Sequence, residues 1–431
     1  MPGELAASPV GRRLAFFLAR LRDAGVELTD EGVAQEWVSE PPAPPAPVRR
    51  MTFVHFSNML GPFTVRGYEQ PRDDFAVALV ADARGRAWRV WIQLEAGPQR
   101  RIQMGMPTLA APPGIVLRPA VPGDAIALRA LERRCPIVMG DVRVTYDRGD
   151  DYFAGARLVG DSYPMVAERD GKLVAVHCVL TNPLRVAGLV CQGTYLHHTR
   201  ILPEAQGGGL FSALQGAELE RHAARTQTIY SYVAVGNEAA LRAVPVPQWS
   251  SRPERLVIDC QAQAGPAHGR PATPADAARV VALVNAAHDR EELFVPYTAA
   301  RLAERVGREP AAYGWSHLRL GERAVVGVWP AELRVLREAP DGREESVRAL
   351  VLDTGFEPGA EAELVALLRA WCAALAARGF THLSLFTSPG SPGRDAVLPL
   401  AARVEPYHFN IGLAEPADVA ARGLYVDHLY F

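Results

Sequence analysis

Apolar and polar positions follow a helical period at the start of the chain. Apolar residues repeat at i, i+3, i+4 and i+7 from Leu14 to Leu21, which predicts an amphipathic helix over residues 10–24. A shorter helix is predicted over residues 30–38. The run PPAPPAP at 41–47 predicts an extended connector, because proline-rich segments favour a polyproline-like backbone.

Strand patterns follow this connector. Apolar side chains alternate with polar ones at 74–81, 87–95 and 101–106, which predicts three antiparallel strands. Helices followed by such strands predict a small α+β roll domain over residues 1–110. Nothing in it has a catalytic pattern, so we expect a structural or partner-docking role, with a ligand-binding pocket as the alternative.

An eight-residue motif then occurs twice. RPAVPGDA at 118–125 and RPATPADA at 270–277 share six residues, and both open a predicted helix. This repeat predicts two copies of one domain, over residues 115–260 and 268–431, and an α/β (α+β) fold class. The alternative is chance similarity between two proline-rich helix starts.

The first copy alternates strand and helix patterns. A strand at 115–118 precedes a helix at 124–135, and another strand follows much later at 228–235. Further strands are predicted between them at 165–169, 172–180 and 189–202.

Three consecutive glycines, Gly207 to Gly209, separate a predicted strand from a predicted helix. Glycine adopts positive φ angles readily and lets a ligand approach the backbone. The first N–H groups of a helix have no intrahelical partner and, with the helix dipole, favour an anion. The pattern predicts a phosphate cradle, with a flexible turn as the alternative.

The cradle matches neither common nucleotide motif. No Lys-Ser/Thr pair follows the glycines, and the strand at 228–235 carries no acidic residue, which excludes a P-loop and a dinucleotide fingerprint. The run Gln206-Gly-Gly-Gly-Leu-Phe211 resembles instead the signature of the GNAT superfamily of N-acetyltransferases. Phe211, at the last small position of that signature, is the one departure.

The resemblance implies a cofactor and its contacts. In that family the loop amides hold the pyrophosphate of coenzyme A, and the preceding strand pairs with the pantetheine arm. It therefore implies binding of acetyl-CoA or another acyl-CoA. The residues carried over as the cofactor site are Ile201, Gln206, Gly207, Gly208, Gly209 and Leu210. Asn237 matches the family's Asn at the next helix start, where N-capping is the alternative role.

The second copy lacks the glycines. At the offset of the repeat, Gly209 falls on Glu361 and Phe211 on Glu363. Carboxylates at a helix start repel a pyrophosphate, so the second copy is predicted to be a degenerate GNAT fold without a cofactor. Its helix and strand are predicted at 361–378 and 381–387.

Acyl transfer to an amine needs a proton acceptor for the amine and a proton donor for the leaving thiolate. His197 and His198 lie on the predicted cradle strand, and an ordinary imidazole pKa suits proton removal at neutral pH. Consecutive strand residues face opposite sides, so only one should point into the acceptor site, and we favour His197. A structural, partly buried role is the alternative. No metal site is expected, because adjacent strand residues can hardly share one ion.

The sequence offers several candidates for the group that donates a proton to the leaving thiolate. Tyr195 on the cradle strand is the candidate acid, with Tyr230, Tyr232 or water as alternatives, because the family's Tyr after Asn237 is missing here. Residues 145–153 hold three carboxylates among aromatic side chains and are the candidate acceptor site for a cationic amine, or else a solvated loop.

The end of the chain is unusually apolar. Residues 415–431 are expected to dock in a sheet or an interface, because free chain ends are normally polar and frayed. The terminal carboxylate of Phe431 near a site is the lesser alternative.

Composition narrows the function classes. The chain has 431 residues, 48% of them hydrophobic, and a net charge of -2, so no overall charge favours nucleic acid or an anionic membrane. The apolar patch between Arg13 and Arg20 is too short for a signal peptide or a membrane span. Five scattered cysteines indicate reduced thiols and a cytoplasmic protein.

These patterns together predict an acyl-CoA-dependent N-acyltransferase that transfers an acetyl group to the amine of a small molecule or peptide. One alternative is a non-catalytic protein of GNAT fold that binds an acyl-CoA, an acyl carrier or a peptide. Another is an acyl-thioester hydrolase or decarboxylase.

Overall fold

The structure is a computed structural model that describes residues 3–22, 29–38, 43–44, 46–160, 164–244 and 246–427. Within these ranges, every helix is too short or too polar to cross a membrane. The chain forms a small N-terminal domain and two repeats that share one sheet.

The N-terminal domain packs helices against a four-stranded antiparallel sheet, whose strands lie in chain order. Its elements are α1 (Gly3–Ala7), α2 (Pro9–Arg22), α3 (Asp30–Glu36), α4 (Ala46–Leu60), β1 (Phe63–Arg72), β2 (Phe75–Asp82), β3 (Ala87–Leu94) and β4 (Ile102–Leu109). The predicted helices and three of the strands are confirmed, and so is the α+β arrangement.

One helix replaces part of the predicted connector in this domain. Helix α4 begins inside the segment predicted as a polyproline connector, part of which lies outside the described residues. Phe53, Phe56 and Leu60 anchor it in the core, with Ser57 between them donating a hydrogen bond to the Leu21 carbonyl, 2.9 Å away. The polar Ser57 interrupts the apolar stripe, which hides the helix from the pattern.

The two repeats have the same order of elements except for the paired strands β6 and β7 in the first and helix α13 at the end of the second. The first contains β5 (Ile115–Pro119), α5 (Ala125–Arg134), β6 (Ile137–Met139), β7 (Val142–Asp147), α6 (Ala154–Val159), β8 (Met165–Arg169), β9 (Lys172–Val186), β10 (Leu189–Ile201), α7 (Leu210–His222), β11 (Thr228–Ala234), α8 (Glu238–Ala243) and β12 (Glu254–Asp259). The second contains β13 (Arg270–Pro271), α9 (Ala277–His288), α10 (Ala299–Gly307), β14 (Leu318–Leu320), β15 (Ala324–Ala339), β16 (Gly342–Phe356), α11 (Glu361–Ala376), β17 (His382–Thr387), α12 (Arg394–Val397), β18 (Ala401–Ile411) and α13 (Val419–Arg422).

The repeated sequence motif makes the same local structure twice. Arg118 Nη1 donates to Asp124 Oδ2 at 2.7 Å, and Arg270 Nη1 donates to Asp276 Oδ2 at 2.8 Å. Each aspartate also accepts a backbone N–H three residues earlier, at 2.8 Å in both repeats. The motif therefore makes the same turn at the start of both repeats.

The repeats exchange their last strands. Strand β12 of the first repeat pairs with β17 of the second, and β18 of the second repeat pairs with β11 of the first. Strands β12 and β18 also pair with each other, so the described residues form one 14-stranded sheet. Strands on either side of residues 260–268 pair with each other, so the sheet is continuous across the predicted domain boundary. The domain limits at residues 260 and 268 therefore stay a prediction.

The N-terminal domain packs against the first repeat through β4 and α7. A Cβ added to Gly209 would lie 2.0 Å from Leu109 Cδ1, and one added to Gly216 would lie 2.4 Å from Thr108 Cβ. Glu220 of α7 accepts two hydrogen bonds from Arg89, at 2.9 and 3.1 Å. These contacts place the N-terminal domain directly against the helix that follows the three glycines.

Candidate functional site

The glycine loop has the backbone that its sequence predicts. Gly207, Gly208 and Gly209 have φ angles of 82°, 58° and 82°, and Gly209 is the N-cap of α7. No side chain in the described residues caps this helix start, so its first N–H groups lack a side-chain acceptor. A Cβ at 207 or 208 would meet no atom within 4 Å. The loop is therefore open where an anion would lie.

Strands β10 and β11 separate beside this loop. They pair in parallel only from Gly193–Thr228 to Tyr195–Tyr230. Beyond that point β10 pairs with β9 and β11 pairs with β18, so a gap opens between Leu196 and Ser231. This is the strand separation that the GNAT resemblance implies.

Buried polar atoms near the gap fit an acyl-CoA. Ser231 Oγ on β11 and Gln215 Nε2 on α7 are buried and have no partner among the described residues. A ligand with amide groups and a pyrophosphate would supply acceptors and donors for such atoms and for the open glycine loop. These residues fit the cofactor that the sequence predicts.

Two of the candidate cofactor residues make other contacts here. The Gln206 side chain donates to the Ile201 carbonyl at 3.2 Å. Asn237 Oδ1 accepts the Ala240 N–H at 3.2 Å, as an N-cap of α8 does. Cofactor contacts by Gln206 and Asn237 stay a prediction.

In the second repeat the corresponding helix start is occupied by carboxylates. Glu363 accepts the backbone N–H groups of Glu322 and Arg323, at 2.6 and 2.9 Å. Helix α7 starts at Leu210 and α11 at Glu361, so the gapless sequence alignment is wrong by one residue at this point. The carboxylates nevertheless lie in the first turn of α11, as the prediction of a degenerate second copy requires.

The tail of the chain fills the equivalent gap in the second repeat. Strands β16 and β17 pair in parallel only from Arg348–His382 to Leu350–Ser384. Leu424, Tyr425 and Val426 line a residual cavity of about 40 Å³ at this gap, together with residues of β16 and β17. Leu424 is completely buried. The described part of the tail is therefore docked, while Phe431 lies outside the described residues.

A β-bulge interrupts β10 at the two histidines. His197 pairs with Cys178 but Arg200 pairs with Val176, so β10 carries one extra residue, and His198 has a left-handed φ of 53°. Both His197 and His198 line the same cavity. The prediction that only one of them faces the site stays a prediction, because the bulge interrupts the alternation on which it depended.

This cavity lies between the two repeats and has a volume of about 440 Å³. Its wall from the first repeat consists of residues 148–156, Val159, Pro164, Cys178, Leu180, His197 and His198. Its wall from the second repeat consists of Ala311, Ala312, residues 329–333, Leu350 and Arg378. The size is that of a small-molecule site, and most of the lining is apolar.

His198 is held by hydrogen bonds on both ring nitrogens. Arg148 Nη2 lies 2.7 Å from Nδ1, and Tyr152 Oη lies 2.8 Å from Nε2. Glu132 also contacts Nε2, and its side chain is only 1% exposed. Burial lowers the pKa of His198 to about 4 although Glu132 opposes this shift. His198 has no free nitrogen to accept a proton.

His197 has a different environment. Its ring stacks on Tyr195 with centroids 4.7 Å apart and planes 3° apart, and its half-buried side chain borders the cavity. Burial, together with nearby His198, His177 and Arg148, lowers the pKa of His197 well below its ordinary value. The ring is therefore neutral at pH 7.

Tyr195 lies at the end of the paired part of β10. Its ring stacks on Tyr230 with centroids 5.1 Å apart, and it is 2% exposed. Burial raises the pKa of its phenol well above the ordinary value. The hydroxyl is therefore protonated at neutral pH, as a proton donor must be.

The predicted acceptor segment lines the cavity, but its carboxylates are already paired. Asp147 and Asp150 accept hydrogen bonds from Arg129 at 3.0 and 2.6 Å, and Asp151 pairs with Arg157. Glu332, on a bulge of β15 with φ of 48°, also lines the cavity and has no ion pair within the described residues. The sequence did not point to Glu332, because the other repeat brings it to the site.

No family model matches the sequence, and none of the curated proteins matches it. Among solved structures, N-myristoyltransferase from Saccharomyces cerevisiae with bound myristoyl-CoA has a TM-score of 0.54 at 10% identity, covering 74% of this chain and 91% of that chain. The chain therefore shares the fold of this N-myristoyltransferase over most of both chains. A GCN5-related N-acetyltransferase from Sphaerobacter thermophilus matches with a TM-score of 0.44 at 18% identity, over 71% of this chain and 98% of that chain. The predicted fold class is confirmed.

Proposed function

We propose that the chain is an acyl-CoA-dependent N-acyltransferase whose first repeat binds the cofactor. The observation that carries the proposal is the open glycine loop beside the separated strands β10 and β11, next to a cavity that reaches His197. The yeast N-myristoyltransferase, which has bound myristoyl-CoA, supports an acyl-CoA as the ligand.

The glycine loop and β10 would bind the cofactor, and the cavity would bind the acceptor. The N–H groups at Gly207, Gly208 and the first turn of α7 would hold the pyrophosphate, and the free edge of β10 would hold the pantetheine. A bound acyl-CoA supplies the activated thioester. The acceptor amine would enter the cavity between the repeats, where neutral His197 takes its proton. Tyr195, at the last position where β10 pairs with β11, would donate a proton to the leaving thiolate.

The proposal also covers the identity of the acyl group and of the acceptor. Acetyl transfer to the amine of a small molecule or peptide is the form we favour. The apolar part of the cavity lining fits an acceptor with an apolar body, and Glu332 supplies a carboxylate for a cationic group on it. The protein is proposed to act in the cytoplasm.

Calorimetry with coenzyme A and acetyl-CoA tests the cofactor site. Gly207→Glu places a carboxylate in the open loop and is expected to weaken binding at least tenfold, because like charges repel strongly where water is partly excluded. Gly359→Glu is the matched control. Gly359 precedes α11 in the second repeat, has φ of 79°, and also has open space around it. Equal affinities in wild type and Gly207→Glu would disprove the proposal.

Turnover separates the transferase from its alternatives. Free thiol release from acetyl-CoA is measured with and without a panel of amines and peptides. Release that depends on an amine supports acyl transfer. Release without any acceptor indicates hydrolysis, and tight binding without release indicates a non-catalytic acyl-CoA-binding protein.

A further inference from the structure

The bulge at His198 sets the alignment between the proposed base and the proposed cofactor loop. Before the bulge, β10 and β9 pair in a register that places His197 opposite Cys178. After the bulge, they pair in a register shifted by one residue, which places Ile201 opposite Ala175. A register change of one residue moves every later side chain to the other face of the sheet. The bulge therefore determines which face of the sheet each residue from Thr199 to Ile201 takes, on the path from His197 to the glycine loop.

The left-handed backbone of His198 is unfavourable for a residue with a side chain, and such conformations persist only where the surroundings hold them. Here the surroundings are a buried polar cluster of Glu132, Arg148, Tyr152 and His198. The His198 side chain is 7% exposed and the whole of Tyr152 is 7% exposed. The cluster joins α5 and the segment before α6 to β10.

The contacts define the protonation states in the cluster. A guanidinium group only donates hydrogen bonds, so Arg148 donates to His198 Nδ1, and that nitrogen carries no proton. The ring proton is therefore on Nε2 and faces the carboxylate of Glu132. Arg148 Nε also donates to Glu132 Oε1 at 3.2 Å. Every polar atom of the His198 ring is used to fix its position.

We propose that Glu132, Arg148 and Tyr152 are positioning residues that hold His198 in the bulge and thereby place His197 relative to the glycine loop. The catalytic consequence rests on the proposed function, whereas the conformational part does not. His198 itself acts through its backbone conformation and not as a base.

Glycine at position 198 tests this directly. Glycine adopts positive φ without strain, so His198→Gly keeps the bulge without the side-chain contacts, whereas His198→Ala loses both. We expect kcat of His198→Ala to fall at least tenfold below that of His198→Gly, with the Kd for coenzyme A unchanged in both. Equal losses of kcat in the two variants would overturn the proposal, because the ring itself would then be required.

A double-mutant cycle tests the role of Glu132. Glu132→Gln is expected to lower kcat at least fivefold in the wild-type background and less than twofold in His198→Gly, where the cluster no longer controls the bulge. Tyr297→Phe is a matched control for loss of a buried carboxylate contact, because Tyr297 donates to Asp353 at 2.6 Å in the second repeat. It should lower stability without changing kcat. Equal effects of Glu132→Gln in both backgrounds would contradict the proposal.

The backbone conformation of residue 198 can also be measured by NMR, without an activity assay. Cα and Cβ chemical shifts of residue 198 should show a left-handed backbone in wild type and His198→Gly and an extended one in His198→Ala. Nitrogen-15 spectra should show the neutral Nε2–H tautomer of His198 in wild type. If these signals appear but wild type transfers no acyl group, the proposed function fails and the positioning cluster stands. An extended backbone at His198 in wild type would refute the cluster whatever the activity.

Discussion

At the scale of single residues, the adjacent histidines 197 and 198 have different surroundings, which suit them to different roles. The His198 ring is enclosed by Arg148, Tyr152 and Glu132, and both of its nitrogens are used. The His197 ring stacks on Tyr195 and borders the cavity. A proton acceptor needs an accessible lone pair, so the environment favours His197 although both residues reach the same cavity.

Replacement of His197 by Ala should lower kcat/KM about 10² to 10⁴-fold, the usual contribution of a general base, with the Kd for coenzyme A nearly unchanged. His408→Ala is the control for loss of an imidazole, because His408 lies on β18 and bonds to Gln248, away from the cavity. If the two variants have the same kcat/KM, His197 is not the base.

The pH dependence follows from the same environment. A base works above its pKa, and the pKa of His197 lies well below 6.5 because of burial and of the nearby His198, His177 and Arg148. Log kcat/KM should therefore be flat from pH 6 to 8 as far as this residue is concerned, with its acid limb at lower pH. An acid limb centred near pH 6.5 that vanishes in His197→Ala would contradict this assignment.

At the scale of elements, α7 is enclosed on two sides. One side packs on the first repeat's sheet, and the other packs on β4 of the N-terminal domain through Gly209 and Gly216. Glycine inside a helix is normally unfavourable relative to Ala, so Gly216 indicates a close approach. The N-terminal domain therefore helps to position the glycine loop at the start of α7.

Gly216→Ala tests this contact. Alanine favours a helix, but here its Cβ would lie 2.4 Å from Thr108, so we expect a loss of stability of about 1–3 kcal/mol and not a gain. Urea unfolding measures the change. Thr108→Gly removes the obstructing atoms and should recover most of the loss in the double variant. Gly123→Ala, at a site with open space, is the control, and an equal effect there would refute the close packing.

At the scale of the whole molecule, the two repeats cannot be separated without breaking sheet pairing. Strand β11 takes β18 as its neighbour, and β12 lies between β17 and β18. Strand β7 of the first repeat also pairs with β15, from Asp147–Arg334 to Arg143–Glu338. Each repeat therefore completes the other, and the cavity between them has walls from both.

A fragment of residues 115–260 should consequently fail to fold alone, because β11 and β12 would lose their partners from the second repeat and expose unpaired edges. We expect poor dispersion in its proton NMR spectrum. Co-expression with residues 261–431 should restore a dispersed spectrum and a stable complex. A well-dispersed spectrum of the fragment by itself would show that the strand exchange is dispensable.

The local patterns of the sequence determined many of the elements, the repeated motif and the glycine loop. Helix α2, strand β3 and helix α7 follow from the period of their apolar residues. The Arg118–Asp124 and Arg270–Asp276 turns follow from a sequence motif that occurs twice. Glycine at 207 to 209 predicts positive φ because other residues rarely adopt it. Such features depend on residues close together in the chain.

Contacts between distant residues were decided only by the tertiary structure. The bulge at His198 depends on Glu132 and Tyr152, which lie far away in sequence and show no local signal for it. The strand exchange, the position of Glu332 and the docking of α7 on β4 depend likewise on packing between elements. Periodicity reports which side of an element is apolar, but it does not report which partner covers that side.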